Sequence, residues 1–251
     1  MSKKVEIKTY ESEREKEIRS KFMAHYKNNP IPEDQVLSNL GLFLNSKTLS
    51  RVLFMDHLYK QVVDVHGIVV EFGVRWGQNI SLLAALRGIY DPFNRHRKIV
   101  GFDTFQGFPS ISVEDGKSEM VKVGNLALTD NYEEYLDRTL SFQENDNPLG
   151  HIKKYELRKG NAITEIDKYL SENPETIIAL AYFDFDLYEP TKKCIDAIKD
   201  RLVKGSVIGF DELNDPDSPG ETKALMDTFG LNNIELKRYR YASRVSYFVV
   251  K

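Results

Sequence analysis

Four apolar segments of this 251-residue chain run into acidic side chains, and chemistry is best sought where they end. The first, Gly67 to Gly73, carries Glu71 and opens into Gly73-Val-Arg-Trp-Gly77. The second, Lys98 to Asp103, stops on an aspartate. The third runs from Thr176 to Asp184 and continues as Phe185-Asp186, and the fourth, Ser206 to Asp211, is followed by Glu212. Short apolar runs bounded by turn residues read as buried strands. In a doubly wound sheet, ligands sit beyond the carboxyl ends of the strands where the strand order reverses, so these carboxylates would face one.

They fall into two groups. Gly73-x-x-x-Gly77 lets backbone approach a ligand without Cβ obstruction just before a helix N-terminus, and Asp103 at the next strand end could accept hydrogen bonds from both hydroxyls of a ribose. Together they describe a nucleoside site; singly, the glycines could be only steric and the aspartate a helix cap. A dinucleotide fingerprint G-x-G-x-x-G and a Gly-Lys-Ser/Thr phosphate loop are both absent. The second group is Asp184, Asp186, Asp211 and Glu212, on strands expected to be neighbours. Carboxylates gathered so closely cannot all stay ionised without a cation, and hard oxygen donors favour magnesium, calcium or manganese. Such a metal would lower the pKa of a coordinated hydroxyl and orient it. The competing readings are that Asp186 caps the next helix and Glu212 faces solvent. The five histidines, His25, His57, His66, His96 and His151, include no ligand-spaced pair, His151 reads as a surface residue, and no Gly-x-Ser-x-Gly elbow occurs.

The elements that must hold these residues alternate strand and helix, the pattern of an α/β doubly wound, mostly parallel sheet. After the first strand a helix is expected from about Gln78 to Ile89; His151 to Leu157 reads as a strand and Asn161 to Leu170 as a helix. A crossover helix near Tyr188 to Leu202, a helix near Glu221 to Phe229 and two antiparallel late strands, around Ile234–Arg238 and Ser243–Val250, make seven strands in all. Residues 1–64 read as an N-terminal helical extension, with helices near Glu11–Lys27 and Ser46–Val63, and residues 65–251 as the main domain. A long insertion at 104–150, with an amphipathic piece at Asn131–Leu140, is read as lid-like, because connections of that length in compact domains are usually functional.

Composition narrows the classes. The chain is 41% hydrophobic, enough for a normal core, and its net charge of -3 argues against a nucleic-acid partner. One cysteine, Cys194, excludes an internal disulfide and a cysteine zinc site, and its helical setting predicts a buried thiol. No apolar run approaches a membrane span and the N-terminus lacks a secretory pattern, so a cytoplasmic protein is expected.

Four blocks carry a resemblance: Glu71-Phe-Gly-Val-Arg-Trp-Gly-Gln78, Gly101-Phe-Asp-Thr-Phe-Gln-Gly-Phe-Pro109, Asp184-Phe-Asp-Leu-Tyr-Glu-Pro-Thr191 and Gly209-Phe-Asp-Glu212. In this order, from about Val65 to the C-terminus, they resemble the macrocin O-methyltransferase family. The resemblance implies a class I methyltransferase fold, S-adenosylmethionine as cofactor, and magnesium. It implicates Glu71, Gly73 and Gly77 around the methionine part of the cofactor, Asp103 at its ribose and Asn161 on the adenine side. It makes Asp184 a metal ligand and the general base, with Asp211 and Glu212 completing the metal site; the family usually has Asp-Asp where this chain has Asp211-Glu212. It further implies a small hydroxylated acceptor of glycosidic type, and a homo-oligomer assembled partly through the N-terminal helices. The activity expected is methyl transfer to a sugar hydroxyl. A non-catalytic cofactor-binding subunit and a nicotinamide-dependent oxidoreductase are the alternatives.

Overall fold

The computed structural model describes residues 11–251. Helix α1 (Glu13–Lys27) starts at a reciprocal cap in which Ser12 accepts from the Glu15 amide and Glu15 accepts from the Ser12 amide. A single turn, α2 (Glu33–Val36), and a 3-10 stretch (Leu37–Phe43) follow, and none of these three pieces contains a buried residue. Helix α3 (Ser46–Val62) differs: Phe54, Met55, Leu58, Tyr59 and Val62 recur at helical spacing and are buried against the sheet.

The sheet follows the expected alternation: β1 (Ile68–Phe72), α4 (Gln78–Tyr90), β2 (Ile99–Asp103), the insertion with α5 (Tyr132–Asp146), β3 (Tyr155–Lys159), α6 (Ala162–Glu172), β4 (Ile178–Phe183), α7 (Tyr188–Ile198), β5 (Leu202–Phe210), α8 (Gly220–Thr228), β6 (Lys237–Arg238) and β7 (Ser246–Val249). Its order is β3-β2-β1-β4-β5-β7-β6; the first five strands are parallel, and β7 runs antiparallel to both β5 and β6. Order reverses between β1 and β4, which places the crevice there.

Several boundaries differ from the sequence reading: β5 begins at Leu202 rather than Ser206, the crossover helix ends at Ile198, and α5 continues to Asp146. β3 begins at Tyr155 rather than near His151, because the Lys154 side chain is taken up by a buried ion pair with Glu144 of α5, while His151 stays at the surface. The first late strand shrinks to Lys237–Arg238.

Alternation along each strand splits the core in two. Val69, Leu180, Tyr182, Val207 and Tyr247 face α3, α4 and α5, whereas Val70, Phe72, Phe183, Ile208 and Phe210 face α6, α7 and α8. On the second face Phe102, Phe72, Phe183 and Phe210 lie on four adjacent strands with ring centroids 5.1, 4.8 and 5.4 Å apart in turn. These rings pin the strands at a common level. The next residue on each, Asp103, Gly73, Asp184 and Asp211, therefore emerges at one height on the opposite face, and main-chain bonds lock it there: Gly73 to Phe102, Asp184 to Phe72, Asp211 to Phe183.

Candidate active site

A cavity of about 780 Å³ opens over these tips. Gly73, Asp103, Asn161, Asp184, Asp211 and Glu212 all line it, as do Thr104, Phe108 and Met120 of the insertion. Gly73 has φ +91, and a Cβ there would come within 2.0 Å of the Asp184 carbonyl oxygen, so β1 and β4 approach as closely as they do only because this residue is glycine. Gly77 (φ +78) opens α4 but faces elsewhere: its missing Cβ makes room for Leu136 of α5. The insertion is tied to the same turn by the Tyr132 hydroxyl, which donates to the Trp76 carbonyl at 3.0 Å.

Asp103 uses its oxygens to hold the turn and the start of the insertion, accepting from the Arg75 amide at 2.7 Å and the Phe105 amide at 2.6 Å. A carboxylate offers about four acceptor positions, so capacity remains for a ligand. Asn161 caps α6, accepting from the Ile163 amide at 3.0 Å, and borders the cavity beside Gly160. Glu71 lies beneath the floor, fully buried, with neither carboxylate oxygen hydrogen-bonded. Burial, reinforced by the nearby Asp184, pushes its pKa well above the usual carboxylate range.

Asp184, Asp186, Asp211 and Glu212 all line this one cavity. Burial and then Asp211 push the Asp184 carboxyl well above the usual carboxylate range, and burial with Glu212 does the same to Asp186. Asn79 of α4 donates to Asp184 Oδ2 at 3.4 Å. Asp186 sits at φ +62 and does not cap α7; Asp115 of the insertion does, accepting from the Tyr188 amide at 2.5 Å. Glu212 is buried rather than solvent-facing, and burial raises its pKa although Arg244 opposes the shift.

Two arginines supply the positive charge. Arg51 of α3 pairs with Asp211 and donates to the Tyr182 hydroxyl at 2.5 Å, which itself donates to Asp211 Oδ1 at 2.8 Å. Burial alone would depress the Arg51 pKa; Tyr182 and Asp211 reverse this and raise it. Arg244 pairs with Glu212 and with Asp215. With the carboxylates so engaged, no three histidine, cysteine or acidic side chains among the described residues converge on a point that would hold a metal. The donor set still suits a hard divalent cation chemically: it is all oxygen, and Glu212 Oε2 is buried without a hydrogen-bond partner. Sequence reasoning missed Arg51, Arg244, Tyr182, Asn79 and Glu221 of α8. Arg51 arrives from α3 and Arg244 from the loop before β7, far from the strand ends they meet. Tyr182 on β4, Asn79 at the start of α4 and Glu221 at the start of α8 stand close to the motifs but carry no strand-end signal of their own.

A switch-point crevice at the carboxyl ends of a 3-2-1-4-5-7-6 sheet, with β7 reversed, defines a class I methyltransferase fold. The chain belongs to a family of sugar O-methyltransferases: it is 39% identical, with a TM-score of 0.93 and coverage of 99% of this chain and 97% of the other, to CalS11, a calicheamicin methyltransferase. The apo structure of CalS11, described as a TDP-rhamnose 3'-O-methyltransferase in calicheamicin biosynthesis, matches at 38% identity and a TM-score of 0.84, covering 96% of each chain. The O-methyltransferase NovP, at 20% identity and a TM-score of 0.57 over 80% of this chain and 79% of its own, shares the fold. No protein-family model matches the chain, and no curated protein matches its sequence. The chain is thus an S-adenosylmethionine-dependent O-methyltransferase, and neither the nicotinamide oxidoreductase nor the non-catalytic subunit finds support in this kinship. No helix among the described residues is long and apolar enough to cross a membrane.

Proposed function

We propose that the acceptor is a hydroxyl of a sugar, most simply one carried on a nucleotide, and that Asp184 is the base. The observation that carries the reading is the position of Asp184 beside the Gly73 turn at the β1/β4 switch point, inside one cavity with Asp103 and Asn161. On this reading the Gly73 turn holds the methionine part of the cofactor, with Gly77 shaping the turn and Glu71 supporting it from below. Asp103 holds the ribose and Asn161 borders the adenine. The acceptor oxygen attacks the sulfonium methyl in line, its proton passes to the Asp184 carboxylate, and the C–S bond breaks to leave the neutral thioether of S-adenosylhomocysteine. Burial and Asp211 raise the Asp184 pKa, and a raised pKa makes its ionised form the stronger base. Alignment of the two reactants supplies much of the acceleration.

The similarity to CalS11 supports a nucleotide-linked sugar, and the four sequence blocks support a place within the macrocin O-methyltransferase group. Where magnesium binds, Asp184, Asp211 and Glu212 would hold it, and it would acidify the acceptor hydroxyl. A homo-oligomer is supported by α1 and the 3-10 stretch, which bury nothing yet carry Phe22, Met23, Leu37 and Leu42 in the open. A reduced compartment, the cytoplasm, suits the one buried thiol, Cys194.

The test is to incubate the protein with S-adenosylmethionine, magnesium and a panel of sugar nucleotides, free sugars and phenols, and to follow S-adenosylhomocysteine. Turnover with a sugar nucleotide and an O-methyl sugar product is expected; turnover confined to phenols overturns the acceptor class.

A further inference from the structure

Glu221 has no part in the chemistry described above, yet it is fully buried directly behind it. It stands in the first turn of α8, and its carboxylate spans the two strand tips that carry the acidic group. Oε1 accepts from the Phe185 amide at 2.9 Å and from the Asp186 amide at 3.2 Å, both in the loop after β4. Oε2 accepts from the Glu212 amide at 3.3 Å, in the loop after β5. The first of these amides follows Asp184 directly and the last follows Asp211 directly. Beyond their last mutual sheet bond, Asp211 amide to Phe183 carbonyl, the two tips leave the ladder. Above that point this one carboxylate ties the main chains of the two tips together, alongside a side-chain hydrogen bond between Asp186 and Glu212.

We propose that Glu221 is the positioning residue that sets the separation and aim of Asp184 and Asp211. A carboxylate, with two acceptor oxygens on one carbon, suits the task of taking amides from both loops at once. Removing the bridge frees each loop to turn about its own strand end, and small displacements of a base from its substrate are costly in rate. Glutamine is nearly isosteric but turns one oxygen into a donor, so whichever way it lies one of the two loops loses its acceptor; it keeps the fold's packing and cuts the link.

The inference rests on Asp184 acting as the base, and the experiment separates the two. In Glu221→Gln, kcat should fall by roughly tenfold to a hundredfold, with cofactor affinity by calorimetry and acceptor KM nearly unchanged. A crystal structure of the same variant should show the Asp184 to Asp211 separation altered. Should Glu221→Gln fail to fold, Glu221→Asp, which keeps the charge but shortens the reach, carries the same two expectations. An unchanged kcat with lowered thermal stability overturns the proposal and leaves Glu221 a packing residue. Unchanged acid geometry in the variant crystal overturns it too, even if wild type proves inactive on every sugar acceptor, an outcome that would count only against the functional reading.

Discussion

The Arg51 guanidinium is paired with the Asp211 carboxylate, joining helix α3 to the tip of β5, and the Tyr182 hydroxyl links the two by accepting from one and donating to the other. The helix that precedes the main alternation of strands and helices thus supplies a charge to the centre of the site.

Replacing Arg51 with methionine leaves Asp211 buried with its hydroxyl partner alone. The arginine side chain is 24% exposed and the aspartate 8%, so the loss is that of a partly desolvated charged hydrogen bond, about 1–3 kcal/mol. Urea unfolding of Arg51→Met should show that decrease; an unchanged midpoint would mean the pair contributes nothing in solution.

Asp184→Asn removes the proposed base while leaving a side chain of the same shape. Turnover should drop by about 10²–10⁴-fold. Calorimetric affinity for S-adenosylhomocysteine should stay close to wild type; an equal loss of both would assign Asp184 to cofactor binding instead.

Chelation tests the proposed cation. Treatment with EDTA should abolish turnover and added magnesium should restore it, with a matching rise in thermal midpoint on metal addition, since a ligand of the native state stabilises it by mass action. Full activity in EDTA would leave Arg51 and Arg244 as the only positive charges the acidic group needs.

Glu144 of α5 is paired with Arg87 of α4 at 2.5 Å and with Lys154 at 2.6 Å, and all three side chains are at most 4% exposed. Glu144→Ala would strand two buried cations, a loss of about 3–5 kcal/mol. Because these pairs dock α5 onto α4 and the edge of the sheet, limited proteolysis of the variant should begin within the 104–150 insertion. Cleavage at wild-type sites and rates would refute that anchoring role.

His57 gives a pH dependence of definite sign. Its ring packs between Tyr239 and Tyr247, with Nε2 2.8 Å from the Tyr247 hydroxyl, and burial lowers its pKa below the ordinary 6.5. The folded state therefore prefers neutral imidazole. That preference adds stability above the unfolded value, which is lost as pH falls through 6.5 toward the lower folded value. The thermal midpoint should decline from about pH 7.5 to about pH 5.5, and less steeply in His57→Gln. Parallel curves for the two proteins would remove His57 as the cause.

The four strand tips were legible from sequence because short apolar runs bounded by turn residues and alternating with helical patterns read as buried strands, and the residue that ends such a strand lies at the sheet's rim. Asp103, Asp184 and Asp211 were found this way, and so was the crevice over Gly73. The doubly wound, mostly parallel class with seven strands was legible too, since alternating strands and helices allow few other windings; the order of the strands was read only from the folded chain. Other features depended on the folded chain. Whether Asp184 and Asp211 face a metal or arginines is decided by Arg51 and Arg244, which arrive from α3 and from the loop before β7. That Asp115 rather than Asp186 caps α7, and that Glu221 clamps both acidic loops, follows from contacts spanning 73, 36 and 9 residues. Local pattern marks where a side chain leaves the backbone. The partner that meets it is chosen by the packing of elements across the sheet, and no local periodicity encodes that pairing.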